Sequence, residues 1–472
     1  MQTIRLRINM ASLFGINRSA LAYSMTTLGA GMINHIFYFY YVKLFLNQYK
    51  ISEGAFHKAQ IVFMIWNAIN DPLFGYIQDN SKIPFCSKRR LSILYGAPFY
   101  TLAFLLPWFP WRNYAEGDWL SGVHLVVALC VFDGMLTFVL LAQCALFTEI
   151  STKHDTRLQL IKYNQMASLL GSTSILFCGL VSNNMEHFPR FQVFTVILAV
   201  LSTACMCYTG VFSRTQYEQE EKQPDYCKSE PPLSLSSVIR LTIQILKEKN
   251  FLIFISMNFF QVFHATFCSN FMMIFADNLI PTDALPSIVR SFMYGAGFIC
   301  PQLIVLISHS LLGQIGYYKM ILYCFYIEAI SAVFMLFIGA QHYYILAVFL
   351  TGNMVLVSAT FSVFNLPLAD IVDADLARYK RKSPLSSMVF GTNALFTKPA
   401  QSLAPMLVVT ILNQYGYENL AKDSNVHDPS MLLGLHQVMF YLTCIVPLCI
   451  AAVQIIIWTP YSIRDSHETT SQ

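Results

Sequence analysis

The feature that most constrains this chain is a succession of apolar stretches, each about the 20 residues that a helix needs to cross a hydrocarbon core. They lie near residues 19–44, 55–77, 91–111, 119–147, 160–182 and 190–212, then near 251–276, 287–310, 318–340, 343–367, 385–413 and 432–458. In lipid every backbone polar group must be satisfied within the chain, so segments of this length fold as helices. The pattern predicts an all-α polytopic membrane protein with twelve transmembrane helices in two pseudo-symmetric six-helix halves. Composition agrees: 55% of residues are hydrophobic and 12% are charged, against about 25% charged in a soluble domain. A net charge of +4 spread over short loops bears on topology, and no nucleic-acid partner is expected.

One long polar stretch interrupts the series. Ser213 to Asn250 carries Glu218, Glu220, Glu221, Lys222 and Pro231-Pro232, and its end, Val238 to Lys249, has the amphipathic spacing of a segment lying on a bilayer surface. The expected organisation is an N-terminal half over 1–212, a cytoplasmic central loop over 213–250, a C-terminal half over 251–460 and a cytoplasmic tail over 461–472. Lys and Arg gather about threefold on the side of both termini, which the positive-inside rule places in the cytoplasm. All twelve cysteines fall in spans or in loops assigned to that side, Cys86 and Cys227 among the latter, so no disulfide framework is expected. Asn17-Arg18-Ser19 lies on the same side and should stay unglycosylated. With no cleavable signal in view, the first span reads as an uncleaved signal anchor. The expected setting is a monomer in the plasma membrane whose partners are the lipid bilayer and a small-molecule solute.

Charged and polar residues at membrane depth carry the functional information. Asn67-Ala68-Ile69-Asn70-Asp71-Pro72-Leu73-Phe74-Gly75 sits inside the second apolar stretch, where an aspartate costs roughly 2.5–3.5 kcal/mol on insertion scales. Asn67, Asn70 and Asp71, spaced i, i+3, i+4, share one helix face. Two amide oxygens and a carboxylate there make a seat for a small hard cation; the plainer reading is that they satisfy one another and bind a neighbouring helix. Pro72 removes a backbone N–H beside them. Asp133 lies in the fourth span with Thr137 one turn on and Cys130 one turn before, Glu328 in the ninth and Lys398 in the eleventh. Asp133 and Lys398 each require a counter-charge or a wet cavity. Glu328 can be met by one hydrogen bond from a neighbour, and His35 and His264 read more readily as packing residues. Thr27, Asn34, Tyr38 and Tyr41 share a face of the first helix, Asn258 and Gln261 a face of the seventh beside His264, and Asn353 and Thr360 a face of the tenth. Such stripes line water, substrate or another helix. The aromatic run Phe37 to Tyr41 fits ring stacking on a ligand and ordinary packing equally well. Gly29-Ala30-Gly31 and Gly295-Ala296-Gly297 read as close helix packing.

Several of these stretches resemble one family. Asn67 to Gly75 is similar to the second-helix signature of the glycoside–pentoside–hexuronide cation symporters, a branch of the major facilitator superfamily. Gly75-Tyr76-Ile77-Gln78-Asp79 followed by Lys88-Arg89-Arg90 resembles the superfamily's loop motif between helices two and three, and Gly313, Gly316 and Lys319 its worn counterpart between helices eight and nine. Ala369-Asp370-Ile371-Val372-Asp373, then Thr397-Lys398, resembles the branch's pattern from loop ten into helix eleven. The resemblance implies the major facilitator fold and symport of a sugar-like solute with a cation. It also implies a coupling site of Asn67, Asn70, Asp71, Asp133 and Thr137, and a solute cavity drawn from Thr27, Asn34, Tyr38, Gln165, Asn258, Gln261, His264, Asn353 and Lys398. Asp79, Lys88, Arg89, Arg90, Asp370 and Asp373 would form the cytoplasmic gate. The departures matter too. Asn67 stands where bacterial members have the first of two carboxylates. The family's sugar-binding acids fall near Thr27 and Leu140, and its arginine near Gln165. Asp133, two turns from Leu140 on the same face, is the acid placed to substitute.

No phosphate-binding Gly-Lys-Ser/Thr, Gly-x-Ser-x-Gly, His-Glu-x-x-His or paired Cys-x-x-Cys occurs, so no enzymatic activity and no cofactor are expected beyond Na+ or H+ as coupling ion. Two readings stand: a cation-coupled secondary transporter working by alternating access around a midplane site, and a transporter-shaped receptor, scaffold or assembly partner that no longer transports. Loss of the clamp residues favours the second; Asn70, Asp71 and Lys398 at membrane depth favour the first.

Overall fold

The computed structural model describes residues 17–80, 83–150, 154–213, 243–379, 386–420 and 429–463, and among them contains helices and no strand. The first helix, α1 (Arg18–Lys43), starts where Asn17 accepts hydrogen bonds from the backbone N–H groups of Ser19 and Ala20, both at 3.1 Å, the usual side-chain cap of a helix start. After a π-helical turn (Leu44–Gln48) come α2 (Glu53–Asn80), α3 (Arg89–Leu105), α4 (Trp119–Ile150), α5 (His154–Ser172), α6 (Ser174–Ser182) and α7 (Phe188–Phe212). The C-terminal helices are α8 (Lys249–Leu279), α9 (Ser287–Ile315), α10 (Tyr317–Ile338), α11 (Tyr343–Val363), α12 (Asn365–Tyr379), α13 (Ser386–Thr397), α14 (Pro399–Gln414) and α15 (Pro429–Trp458).

Three predicted spans are broken helices. The fifth divides at Thr173, whose hydroxyl turns back to the carbonyl of Leu170 at 2.7 Å. The tenth divides at Phe364 and continues as α12 to Tyr379, well beyond the predicted end at 367, because the charged residues from Asp370 onward broke the apolar window without breaking the helix. The eleventh divides at Lys398, and the cause is local: Pro399 opens α14 at a position where it offers no N–H, and it disfavours continued α geometry in the residue before it.

Ten helical stretches among the described residues are long and apolar enough to cross a membrane, where twelve were expected. The two that fall short by this measure are α1 and α2, at 26 and 28 residues. Their packing explains the shortfall. No residue of α1 beyond Arg18 is exposed, since the helix lies against α5, α7 and α8; a helix sheathed by protein need not be apolar. On α2, Ile61, Ile65, Ile69 and Leu73 recur every fourth residue on the exposed face, while Gln60, Asn67, Asn70 and Gln78 are buried. Its apolar side faces outward and its polar side inward.

Within the N-terminal helices α1 packs on α5 and α7, α2 on α4, and α3 on α4 and α7. Among the C-terminal helices α8 packs on α11, α14 and α15, α9 on α11, and α10 on α11 and α15. The two groups meet where α9 lies on α5 and α6, α2 on α13 and α14, and α1 on α8. Close approach is marked by glycine: a Cβ on Gly29 of α1 would sit 2.9 Å from the Ser202 carbonyl of α7, and one on Gly295 of α9 would sit 2.8 Å from the Leu176 Cβ of α6. Phe37 and Phe132 stack with centroids 3.7 Å apart, with Tyr100 and Trp108 packed around them, so the aromatic run of α1 is largely core.

Candidate functional site

Midway along the bundle, residues of α2, α4 and the α13–α14 break converge. The side-chain amide of Asn70 donates to Asp133 Oδ2 and, at 3.3 Å, to Thr137 Oγ1. Thr137 in turn donates to Asp71 Oδ1 at 3.1 Å. Lys398 Nζ completes the chain, 2.6 Å from Asp71 Oδ2. Asn67 Nδ2 donates to Gln401 Oε1 at 3.0 Å, a second tie between α2 and α14. Asn67, Asn70, Asp133 and Thr137 are buried, whereas the side chains of Asp71 and Lys398 keep 28% and 22% of their exposure. The charged pair thus borders a partly open space, as an exchangeable ion would need.

Two features of this site bear on what it can hold. The amide oxygens of Asn67 and Asn70 are buried and have no hydrogen-bond partner among the described residues. Asn70 and Thr137 stand between the two carboxylates, which are joined through them. Five oxygen-bearing side chains, two of them carboxylates, form the kind of hard donor set that alkali and alkaline-earth cations prefer. Among the described residues, the positive charge that contacts it is the Lys398 ammonium.

The residues expected to line a solute cavity divide into two groups. Thr27 bonds the side chains of Asn164 and, at 2.6 Å, Gln143; Asn34 accepts from Tyr100, and Tyr38 stands edge-on to Phe132. All three are half-buried. Gln165 reaches across to Gln302 of α9 at 2.8 Å, and Asn258 to Asn393 of α13 at 2.9 Å. The remaining three do not face this space. Gln261 is wholly buried, donating to the Val357 carbonyl at 2.9 Å and accepting from Gln454 at 2.7 Å. His264 is wholly buried toward Glu328, and Asn353 is buried against Cys268. Gln261 and His264 of the stripe on α8 therefore face α10, α11 and α15, while Asn258 of the same stripe faces α13.

Of the expected gate, Asp370 accepts from Tyr317 at 2.6 Å, and the same hydroxyl reaches the Ile463 carbonyl at 3.2 Å, so it fastens α12 to α10 and the C-terminal segment. Asp373 is exposed, Lys88 precedes α3 and is exposed, and Arg89 and Arg90 open α3 half-buried. The Asp79 side chain lies outside the described residues.

The sequence reading missed a polar seal at the opposite end of the bundle. Lys43 at the end of α1 pairs with Asp277 of α8 at 2.5 Å, and Asp277 also accepts from Arg290 at 3.0 Å and Tyr294 at 3.2 Å. Asn184, in the turn after α6, donates to the Ser287 carbonyl and accepts from the Ser291 hydroxyl, both at 3.1 Å. It sits in a run of three non-glycine residues, Asn183, Asn184 and Met185, with φ of 53, 55 and 72°. Asn413 bonds Glu53, and His57 Nε2 lies 3.2 Å from the Met406 carbonyl. Gln401 was also missed, although it falls one turn beyond Lys398 and that spacing could have found it.

An all-α bundle of membrane-length helices with an intramembrane ion pair between its two groups of helices has the architecture of a membrane transporter. The comparisons with known proteins make the assignment specific. Residues 22–465 match the family described as MFS/sugar transport protein, and the chain belongs to that family. It is 31% identical over 480 residues to transmembrane protein 180 of Gallus gallus, covering 94% of this chain and 92% of that one, and 28% identical to the Mus musculus protein of the same name over equal shares. An uncharacterised symporter of Synechocystis is 23% identical over 47% of this chain and 42% of its own. Among solved structures, a mutant of the nucleoside transporter NupG superposes with a TM-score of 0.65 at 12% identity, covering 93% of this chain and all of that one. A D-xylose–proton symporter superposes with a TM-score of 0.64 at 11% identity, covering 94% and 97%. These likenesses establish the fold.

Proposed function

We propose that this transporter-family protein is a secondary-active symporter that couples a small, sugar-like organic solute to a monovalent cation by alternating access between its N-terminal and C-terminal helices. The observation that carries the reading is the Lys398–Asp71 pair at 2.6 Å. Lys398 belongs to the C-terminal helices and Asp71 to the N-terminal ones, so this neutralisation is also a physical link between the two groups. A cation that enters and takes over the charge of Asp71 releases Lys398, and the link with it. Lys398 lies where α13 gives way to α14, so its movement does not require a continuous helix to bend. Asp71, Asp133, Thr137 and the free amide oxygens of Asn67 and Asn70 would hold the ion. Because Asn70 and Thr137 bridge the two acids, we favour sodium over a proton shared directly between them. The half-buried Thr27, Asn34 and Tyr38, with Gln165 and Asn258, offer hydroxyl and amide groups for the hydroxyls of a sugar-like solute. The positive-inside charge bias supports cytoplasmic termini, with the seal around Asp277 then on the outer side. We propose residence in the plasma membrane.

The test is thermal unfolding of the purified full chain with sodium replaced stepwise by choline, across pH, and against a panel of sugars and nucleosides. A ligand that binds only the folded protein at 100 times its Kd contributes about 2.7 kcal/mol. Sodium should raise the midpoint of the parent and leave that of Asp71→Asn unchanged. If Asp71→Asn, properly folded, responds to sodium and pH as the parent does, Asp71 is structural and the non-transporting scaffold becomes the better reading.

A further inference from the structure

A second polar cluster lies within the C-terminal helices, apart from the Asp71 site. His264 of α8 and Glu328 of α10 are both wholly buried, with His264 Nδ1 3.6 Å from Glu328 Oε2. Neither ring nitrogen and neither carboxylate oxygen has a hydrogen-bond partner among the described residues. Asn353 of α11 adds a further unpartnered oxygen, Oδ1, while its amide nitrogen lies 3.6 Å from Cys268 Sγ, one turn along α8 from His264. Folded interiors leave few buried polar atoms unpaired, and here five such atoms belong to three residues on neighbouring helices. Gln261, one turn before His264, shows what a purely structural polar residue looks like in the same place: both ends of its amide are bonded.

Charge counting identifies what the pair takes. A carboxylate beside a neutral imidazole carries a net charge of −1, which is costly at membrane depth without a counter-charge. One added proton makes the pair neutral, whether it resides on the acid or on the ring. We infer that His264 and Glu328 together bind one proton, forming a proton site in the C-terminal helices that is separate from Asp71. The step is simple association: a proton joins a lone pair of one group, and no other bond breaks. The titratable groups that bear on Glu328 from α8 and α10 are the thiols of Cys268 and Cys324. The residues that α11 and α15 bring nearby, Asn353, Thr360 and Gln454, are neutral. Among the described residues no charged side chain of α1, α9, α12, α13 or α14 acts on either member of the pair. The site would make the C-terminal helices respond to pH whatever occupies Asp71, and it does not depend on the symport reading.

Infrared titration of the purified full chain tests this without a transport assay. Wild type should lose one protonated-carboxyl or imidazolium signal as pH rises, equal to one proton relative to Glu328→Gln. Its thermal midpoint should fall over the range in which the folded pair holds a proton that the unfolded chain has released, while Glu328→Gln stays level there. His264→Asn should displace the titration in pH, and ring-labelled histidine in the wild-type chain reports the same event with no substitution at all. A wild type indistinguishable from Glu328→Gln in spectrum and in midpoint-versus-pH profile would overturn the proposal. An unchanged titration in His264→Asn, with a silent histidine label, would assign the proton to Glu328 alone and overturn the pair.

Discussion

Removing the Asp71–Lys398 pair one charge at a time gives the most discriminating measurement on the central site. At 2.6 Å and an effective dielectric constant of about 20, the gross attraction is 332/(20 × 2.6), about 6 kcal/mol. Desolvation takes back most of it. Fully exposed pairs are worth about 0–1 kcal/mol net, and losing one member of a fully buried pair costs about 3–5 kcal/mol. With the two side chains 28% and 22% exposed, the expected coupling falls between these limits, at about 1–3 kcal/mol. The two single mutants should differ. Lys398→Gln leaves Asp71 with the Thr137 hydrogen bond and a second acid, Asp133, linked to it through Thr137 and Asn70. Asp71→Asn leaves the lysine near Asp133, which can partly take over as its counter-charge. Lys398→Gln should therefore be the more destabilising, and Asp71→Asn/Lys398→Gln should lose clearly less than the two singles combined. Chemical or thermal unfolding of all four proteins in one detergent gives the coupling energy directly. Single-mutant losses that add to within about 0.5 kcal/mol would refute both the pair and the displacement mechanism built on it.

Three further outcomes are expected. Asp277→Asn weakens the bonds to Lys43, Arg290 and Tyr294; at roughly 1.5–3 kcal/mol for each charged hydrogen bond, a single cysteine at Ser291 in a cysteine-free background should label at least about tenfold faster, and an unchanged rate would make the cluster a static brace. On the topology proposed here, a cysteine at Gln223, outside the described residues, should resist an impermeant reagent on intact cells while one at Glu116 reacts; strong labelling at Gln223 reverses the orientation. Arg112 and the Leu120 N–H hold the Asp118 carboxyl below its usual range, so its support of the α4 start is complete at neutral pH and fades only as pH falls through that lowered folded-state value; in Arg112→Gln that acid limb, followed by the Asp118 carboxyl resonance, should move to higher pH.

The parts of the site that were legible in the sequence are those written in local spacing. Asn67, Asn70 and Asp71 share a face by helical arithmetic, whereas the break at Lys398 went unread although Pro399 beside it carried the signal. The partner of each charge was not legible, since periodicity within a helix says nothing about which distant helix comes to face it. For the same reason the bond between Asn67 and Gln401 and the seal around Asp277 went unseen. The stripe on α8 misled in the opposite direction. A polar face read from spacing alone cannot distinguish a cavity from the interior of a four-helix contact, and Gln261, His264 and Asn353 proved to lie in the latter. α1 and α2 were both legible as spans by length, and a stricter hydropathy measure passes them over because it scores a residue for lipid contact whether or not it meets lipid.

That last mismatch has a consequence for how the chain is made. α1 falls short of the hydropathy of a lipid-facing span, and the helices that sheathe it, α5, α7 and α8, follow it in the chain and are synthesised later. Until α3 and α4 follow, Asn34 lacks its bond from Tyr100 and Tyr38 its contact with Phe132, and until α7 follows the Gly29 carbonyl has no partner hydroxyl. The native burial of α1 thus depends on residues supplied later in the chain, such as Ser202, whose hydroxyl holds the Gly29 carbonyl at 2.8 Å. Substitutions in α7 that enlarge that contact should appear first as failures of biogenesis, with the N-terminal segment misplaced or degraded, while the site around Asp71 is itself unaltered.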